Sequence, residues 1–158
     1  MLQRIQTVYL SIAAVAMAML FFFPFAVFQS DFVYSRFFIY GVVDMVPGGA
    51  NSMGIIYALP LILADLGVII FAVTAIFRYK DRPSQLKLVN AAFILTIILI
   101  AGVFFLYGYI LEKKFGTPPL WSEGYGVYFP LVALLFLMLA IRSIKRDEKL
   151  VRSADRLR

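Results

Sequence analysis

The chain contains no cysteine and no histidine among its 158 residues. Without thiols it cannot form disulfides, iron–sulfur clusters or a thiolate nucleophile. Without imidazole it lacks the commonest metal ligand and the commonest general base. No catalytic, cofactor-binding or metal-binding group stands out, and none is expected. Charge is scarce too. Asp, Glu, Lys and Arg make up 15% of the residues and hydrophobic types 63%, against about 45–50% apolar in soluble domains. Such a composition excludes disorder, and a soluble core of this length cannot hide so much apolar surface. The expected solvent is therefore the lipid bilayer.

Four stretches are apolar enough to be buried in hydrocarbon, covering about 5–28, 53–77, 88–111 and 124–141. A helix needs about 20 residues to cross a core roughly 30 Å thick. The expected fold is an all-α membrane protein, a single transmembrane domain over 1–158 built as an antiparallel four-helix bundle. The first stretch is longer than the roughly 7–15 residues of a signal h-region, and Phe21-Phe22-Phe23-Pro24-Phe25 stands where a small-residue cleavage site would be. It is read as retained. The formal charge of +6 is informative through its placement. Twelve Lys and Arg fall before the first stretch, between the second and third, or after the fourth; three fall on the other side. The positive-inside bias puts both termini in the cytoplasm and makes membrane orientation, not nucleic acid, the role of these cations.

The first outer connection, 31–52, is rich in β-branched and aromatic residues. It is expected to hold a small β-strand or hairpin element over the outer helix ends, with Pro47-Gly48-Gly49-Ala50-Asn51 as a breaker and Asn51 or Ser52 as the next helix cap. The inner loop 79–85 is short, so the second and third helices are antiparallel neighbours, with Ser84 the expected N-cap after Pro83. Trp121 with Tyr107, Tyr109, Tyr125 and Tyr128 forms an interfacial aromatic belt. The tail 142–158 carries a net charge of +4 and is expected to continue the fourth helix into water. Glu148 stands four residues before Arg152, a favourable helix pair. Leu150, Val151, Ala154 and Leu157 make a narrow apolar stripe beside Arg152. That surface suits contact with anionic lipid or docking of a membrane or cytoplasmic protein partner.

Asp65 lies in the middle of the second stretch. Insertion scales charge it about 2.5–3.5 kcal/mol at that depth, while fourteen Leu, Ile, Val and Phe residues return about 4–8 kcal/mol together. Ala58 and Ala72 share its helical face, so Asp65 should point into the bundle, where small residues let helices approach. With no cation at its depth, burial favours the neutral acid as a hydrogen-bond donor. Thr96 is the nearest candidate partner. The pair is a candidate intramembrane polar site, either a proton or cation relay or an acid bridging two helices. Pro24, Pro60 and Pro130 all fall in outer halves, which suggests a splayed outer bundle with an aromatic-lined cleft beneath the cap.

The opening run Met1-Leu2-Gln3-Arg4-Ile5-Gln6-Thr7-Val8-Tyr9-Leu10, the inner-loop segment Arg82…Gln85-Leu86 and the charged close from Ile144 to Arg158 resemble domain-of-unknown-function family 4293, small membrane proteins of the Bacteroidota. The resemblance runs the whole length. It implies four spans and a bacterial inner membrane, and carries no activity. The layout is also similar to claudin-type tetraspan proteins, without their cysteine pair. A non-enzymatic accessory or scaffold subunit is the leading expectation. The alternative is a small proton-coupled transporter, or a lipid- or quinone-binding protein, using Asp65 and the outer cleft.

Overall fold

A computed structural model describes residues 2–30, 33–45, 54–79 and 81–156. Helix α1 (Leu2–Ala18) is followed by a 3-10 turn, Met19–Phe21, and then by strands β1 (Ala26–Ser30), β2 (Val33–Phe38) and β3 (Gly41–Asp44). Helix α2 (Ile55–Phe77) leads into α3 (Arg82–Ala101), a π-helical segment (Gly102–Tyr107) and α4 (Gly108–Phe115), which form one rod. Two 3-10 turns precede α5 (Tyr128–Arg156). Helices α1, α2, α3 and α5 form a closed ring of neighbours, each packed on two others. Three helical segments, Ile55–Phe77, Arg82–Phe115 and Tyr125–Lys149, are long and apolar enough to cross a membrane. The apolar part of the first helix, Ile5–Phe21, is shorter.

One periodicity runs through the ring. Buried residues recur at alternating steps of three and four: Gln6, Leu10, Ala13, Met17 and Leu20; Ala58, Leu61, Asp65, Val68, Ala72 and Ala75; Gln85, Val89, Ala92, Thr96, Leu99 and Val103; Ala133, Leu137, Ala140, Ile144 and Asp147. A repeat of 3.5 residues keeps one seam of each helix facing its neighbours, as in a left-handed coiled coil. Alanines at many of these positions let the backbones come close. The outward faces carry Ile56, Leu63, Ile70, Ile98, Phe105 and Leu131, all exposed. The π-helical segment shifts the third seam: from Leu99 onward the buried side chains Val103, Tyr107 and Leu111 follow at steps of four, with Gly108 buried beside Tyr107. The wider turn thereby keeps Tyr107 inward, where its hydroxyl donates to Tyr57 O at 2.5 Å.

The outer end departs from the expected layout. The first stretch is not helical to residue 28. It stops at Phe21, and Ala26–Ser30 is a strand. Pro24 explains the stop, since it bars the residue before it from helical geometry and offers no N–H. The sheet has three antiparallel strands in the order β1-β2-β3, with Ala26 opposite Phe37, Phe28 opposite Ser35 and Phe37 opposite Val42. Its inner face, Ala26, Phe28, Ser35, Phe37 and Val42, is buried. Phe37 stacks on Tyr107 and Phe28 packs on Phe115, so the sheet caps the end of the long third rod. Ser35 donates to Asp44 Oδ1 on this face. Leu120 pairs with Val27 through two backbone hydrogen bonds and covers part of the β1 edge.

Two smaller expectations change as well. Asp81, not Ser84, caps α3, its carboxylate accepting from the Ser84 N–H. Pro83 sits in the first turn, where its missing N–H costs nothing. Tyr107 is buried rather than part of an interfacial belt, and Trp121 is half-buried over Phe104 and Gly108, while Tyr109, Tyr125 and Tyr128 are exposed. The breaker at 47–51 and the caps Asn51 and Ser52 lie outside the described residues.

Candidate functional site

Asp65 and Thr96 are both fully buried, on the seams of α2 and α3, and Ala58 and Ala72 are buried with Asp65 as their shared face requires. No hydrogen bond joins the pair. The Thr96 hydroxyl donates to Ala92 O at 2.8 Å, its own helix. Both carboxylate oxygens of Asp65 are buried without a hydrogen-bond partner among the described residues. A polar group left so carries an uncompensated desolvation cost. The two candidates thus share the interior without forming a joint site.

The inner end holds a polar cluster that the apolar runs concealed. Gln6 of α1 donates through Nε2 to Asp147 Oδ2 of α5 at 2.5 Å. Arg82, in the first turn of α3, donates through Nη1 to the backbone carbonyl of Asp147 at 2.8 Å. Gln85 reaches from α3 to Ala75 O in the last turn of α2 at 3.0 Å. Four helices are thus fastened at one level by amide, guanidinium and carboxylate groups. Gln6, Gln85 and Asp147 are buried despite their chemistry. Each continues the three-four seam of its helix, which was the signal available: a polar residue in register with an apolar stripe.

This cluster also bears on the tail. Ile144 and Asp147 belong to the buried interior, so the stretch that begins at 142 is in part packed against the other helices. The backbone of Leu150, Val151, Arg152 and Ala154 is helical, and their side chains and Leu157 lie outside the described residues, as does the Glu148–Arg152 pair.

Among the described residues, aromatic side chains occupy the space beneath the cap where a cleft was expected. Phe25, Phe28 and Phe37 are buried there with Tyr107. What remains between Phe25, Leu99, Val103, Phe104, Val127 and Pro130 is about 10 Å³, no larger than one water. Pro24 ends a helix and Pro130 lies in the first turn of α5, so only Pro60 stands inside a helix. An aromatic cavity of about 340 Å³ does exist, beside the opposite face of the sheet, lined by Phe23, Pro24, Tyr34, Arg36, Glu123 and Tyr125 among others. Arg36 lies across the Tyr34 ring and donates to its hydroxyl.

A family profile described as a domain of unknown function, DUF4293, matches residues 2–157. The chain belongs to the DUF4293 family. No curated protein and no solved structure matches it. The DUF4293 match takes in both ends of the inner cluster, Gln6 and Asp147, together with the capping sheet.

Proposed function

We propose that the chain is an integral protein of the bacterial inner membrane, crossing it four times with both termini cytoplasmic, and that it serves as a non-enzymatic accessory or scaffold subunit. Cation placement supports the orientation, and the closed ring of four helices supports the count. The apolar part of the first helix, Ile5–Phe21, is about 25 Å long. A shortfall of this size is met by local thinning of the bilayer. The observation that carries the scaffold reading is the single-piece α5. Its 29 residues extend about 43 Å, beyond the roughly 30 Å of hydrocarbon, and the inner cluster fastens it at Asp147, in its second half. On this reading a basic helix anchored at Asp147 serves as the attachment point for a membrane or cytoplasmic protein. Quantitative co-purification of the full chain against a chain ending at residue 149 tests this. Loss of specific partners is expected. Recovery of the same set from both chains removes the docking role.

Asp65 favours a second reading, a proton-coupled carrier, through its two unpartnered carboxylate oxygens. On that reading Asp65→Asn abolishes proton-linked flux in liposomes, and unchanged flux leaves Asp65 a packing residue.

A further inference from the structure

A groove of about 390 Å³ lies at the inner ends of α2 and α3, away from both Asp65 and the α1–α5 contact. Ile70, Phe71, Thr74 and Arg78 line it from α2 and its C-cap; Ser84, Lys87 and Leu88 line it from α3. Arg78, Lys87, Thr74 and Ile70 are exposed, and Phe71, Ser84 and Leu88 are half-buried, so the groove opens outward from the bundle. The lining is divided by chemistry. Ile70, Phe71 and Leu88 make an apolar trough, and Arg78 and Lys87 stand at its inner rim. From Arg78 to Ile70 is eight helical residues, or about 12 Å, close to the half-thickness of a hydrocarbon core. The hydroxyl groups are committed elsewhere. Thr74 donates to the carbonyls of Ile70 and Phe71, and Ser84 serves the Asp81 cap. A carboxylate beside the cations among the described residues is that of Asp81. It is occupied by the Ser84 N–H and hydroxyl, and Arg78 and Lys87 both act on it electrostatically.

We infer that this groove is a binding site for an anionic phospholipid of the cytoplasmic leaflet, its phosphate held between Arg78 and Lys87 and the first part of an acyl chain laid along Ile70, Phe71 and Leu88. Two cations over one capped carboxylate leave net positive charge at the rim, which selects an anionic headgroup. The long Lys87 side chain reaches from within the first turns of α3 to headgroup level by the usual extension of a buried stem to a polar tip. The trough supplies what a soluble phosphate does not need. The inference rests on the membrane orientation proposed above but not on the scaffold role.

Native mass spectrometry of the delipidated full chain in neutral detergent is the test, with phosphatidylglycerol and phosphatidylcholine of identical acyl chains, and inorganic phosphate alone, as probes. One phosphatidylglycerol adduct per chain is expected, at least tenfold tighter than phosphatidylcholine. The Arg78→Gln/Lys87→Gln variant is expected to lower its affinity at least tenfold, and Arg78→Lys/Lys87→Arg to keep it. Equal retention of the two lipids, or undiminished phosphatidylglycerol on the double glutamine variant, overturns the assignment. So does loss of binding in the charge-preserving variant, which would trace the effect to packing. Displacement of the lipid by millimolar inorganic phosphate would make this a site for a soluble anion. Labelling from the wrong side of the membrane would sink the orientation separately.

Discussion

Asp65 and Asp147 are both acids buried on helix seams, yet their surroundings differ. Asp147 accepts from Gln6, while Asp65 has no hydrogen bond to lose among the described residues. Gln6→Ala should therefore destabilise the fold by about 1.5–3 kcal/mol, the range for hydrogen bonds to charged groups. Asp65→Asn should leave stability unchanged or raise it. Unfolding in mixed micelles checks both, and a clear loss in Asp65→Asn would show that the carboxyl itself is bonded. Asp81 offers a pH-dependent case. Hydrogen bonds from the Ser84 hydroxyl and N–H, with lesser help from Arg78 and Lys87, hold its carboxyl below the ordinary value of 3.8. A depressed folded value means the cap stabilises fully above the ordinary value and is lost as pH falls through the lower one. Asp81→Ala should therefore lower the thermal midpoint at pH 7, and the deficit should shrink as the pH falls below the ordinary value of 3.8 and vanish once the carboxyl is protonated in the folded chain. A deficit that persists there would assign it to something other than the charged cap.

At the scale of elements, glycines discriminate between forgiving and unforgiving contacts. A methyl group at Gly124 would lie 1.8 Å from the Phe25 carbonyl oxygen, and one at Gly126 would lie 2.6 Å from that of Pro24. Both obstacles are backbone. At Gly67 the obstacle is the tip of the Leu95 side chain, which can rotate away. Gly124→Ala should displace the sheet and markedly lower the midpoint, whereas Gly67→Ala should shift it slightly; equal effects would contradict the close backbone approach. The same region marks where the sequence was hard to read. Phe25, Val27 and Phe28 suit a buried strand as well as a membrane helix, because both environments reward apolar side chains. Only Pro24 signalled the change, and proline also occurs within membrane helices, as Pro60 does here. The three long helices were legible because their apolar runs exceed what any strand requires. The start of α3 was misplaced by three residues, since Asp81 and Ser84 are both good caps on either side of Pro83.

For the whole molecule, the absence of cysteine makes topology directly testable. Ser122→Cys and Lys145→Cys each place one thiol at an exposed position. On intact cells an impermeant maleimide should label the former, and label the latter only after the inner membrane is opened. Labelling of both from outside would remove the proposed orientation and the roles built on it. The interior was partly legible at this scale. The inward face of Asp65 followed from Ala58 and Ala72. The inner cluster did not, because pairing Gln6 with Asp147 requires knowing that the first and last helices are neighbours across 141 positions of chain. No periodicity within a single helix carries that information.

The unbroken α5 has a mechanical consequence. It begins two residues after Gly126, whose N–H is bonded to Pro24 O beside the sheet, and it runs on past Asp147 to Arg156. A helix without a hinge is a strut, stiff along its axis. Any load applied at its basic end is therefore delivered to the capping sheet at the other, with no joint between them to absorb it.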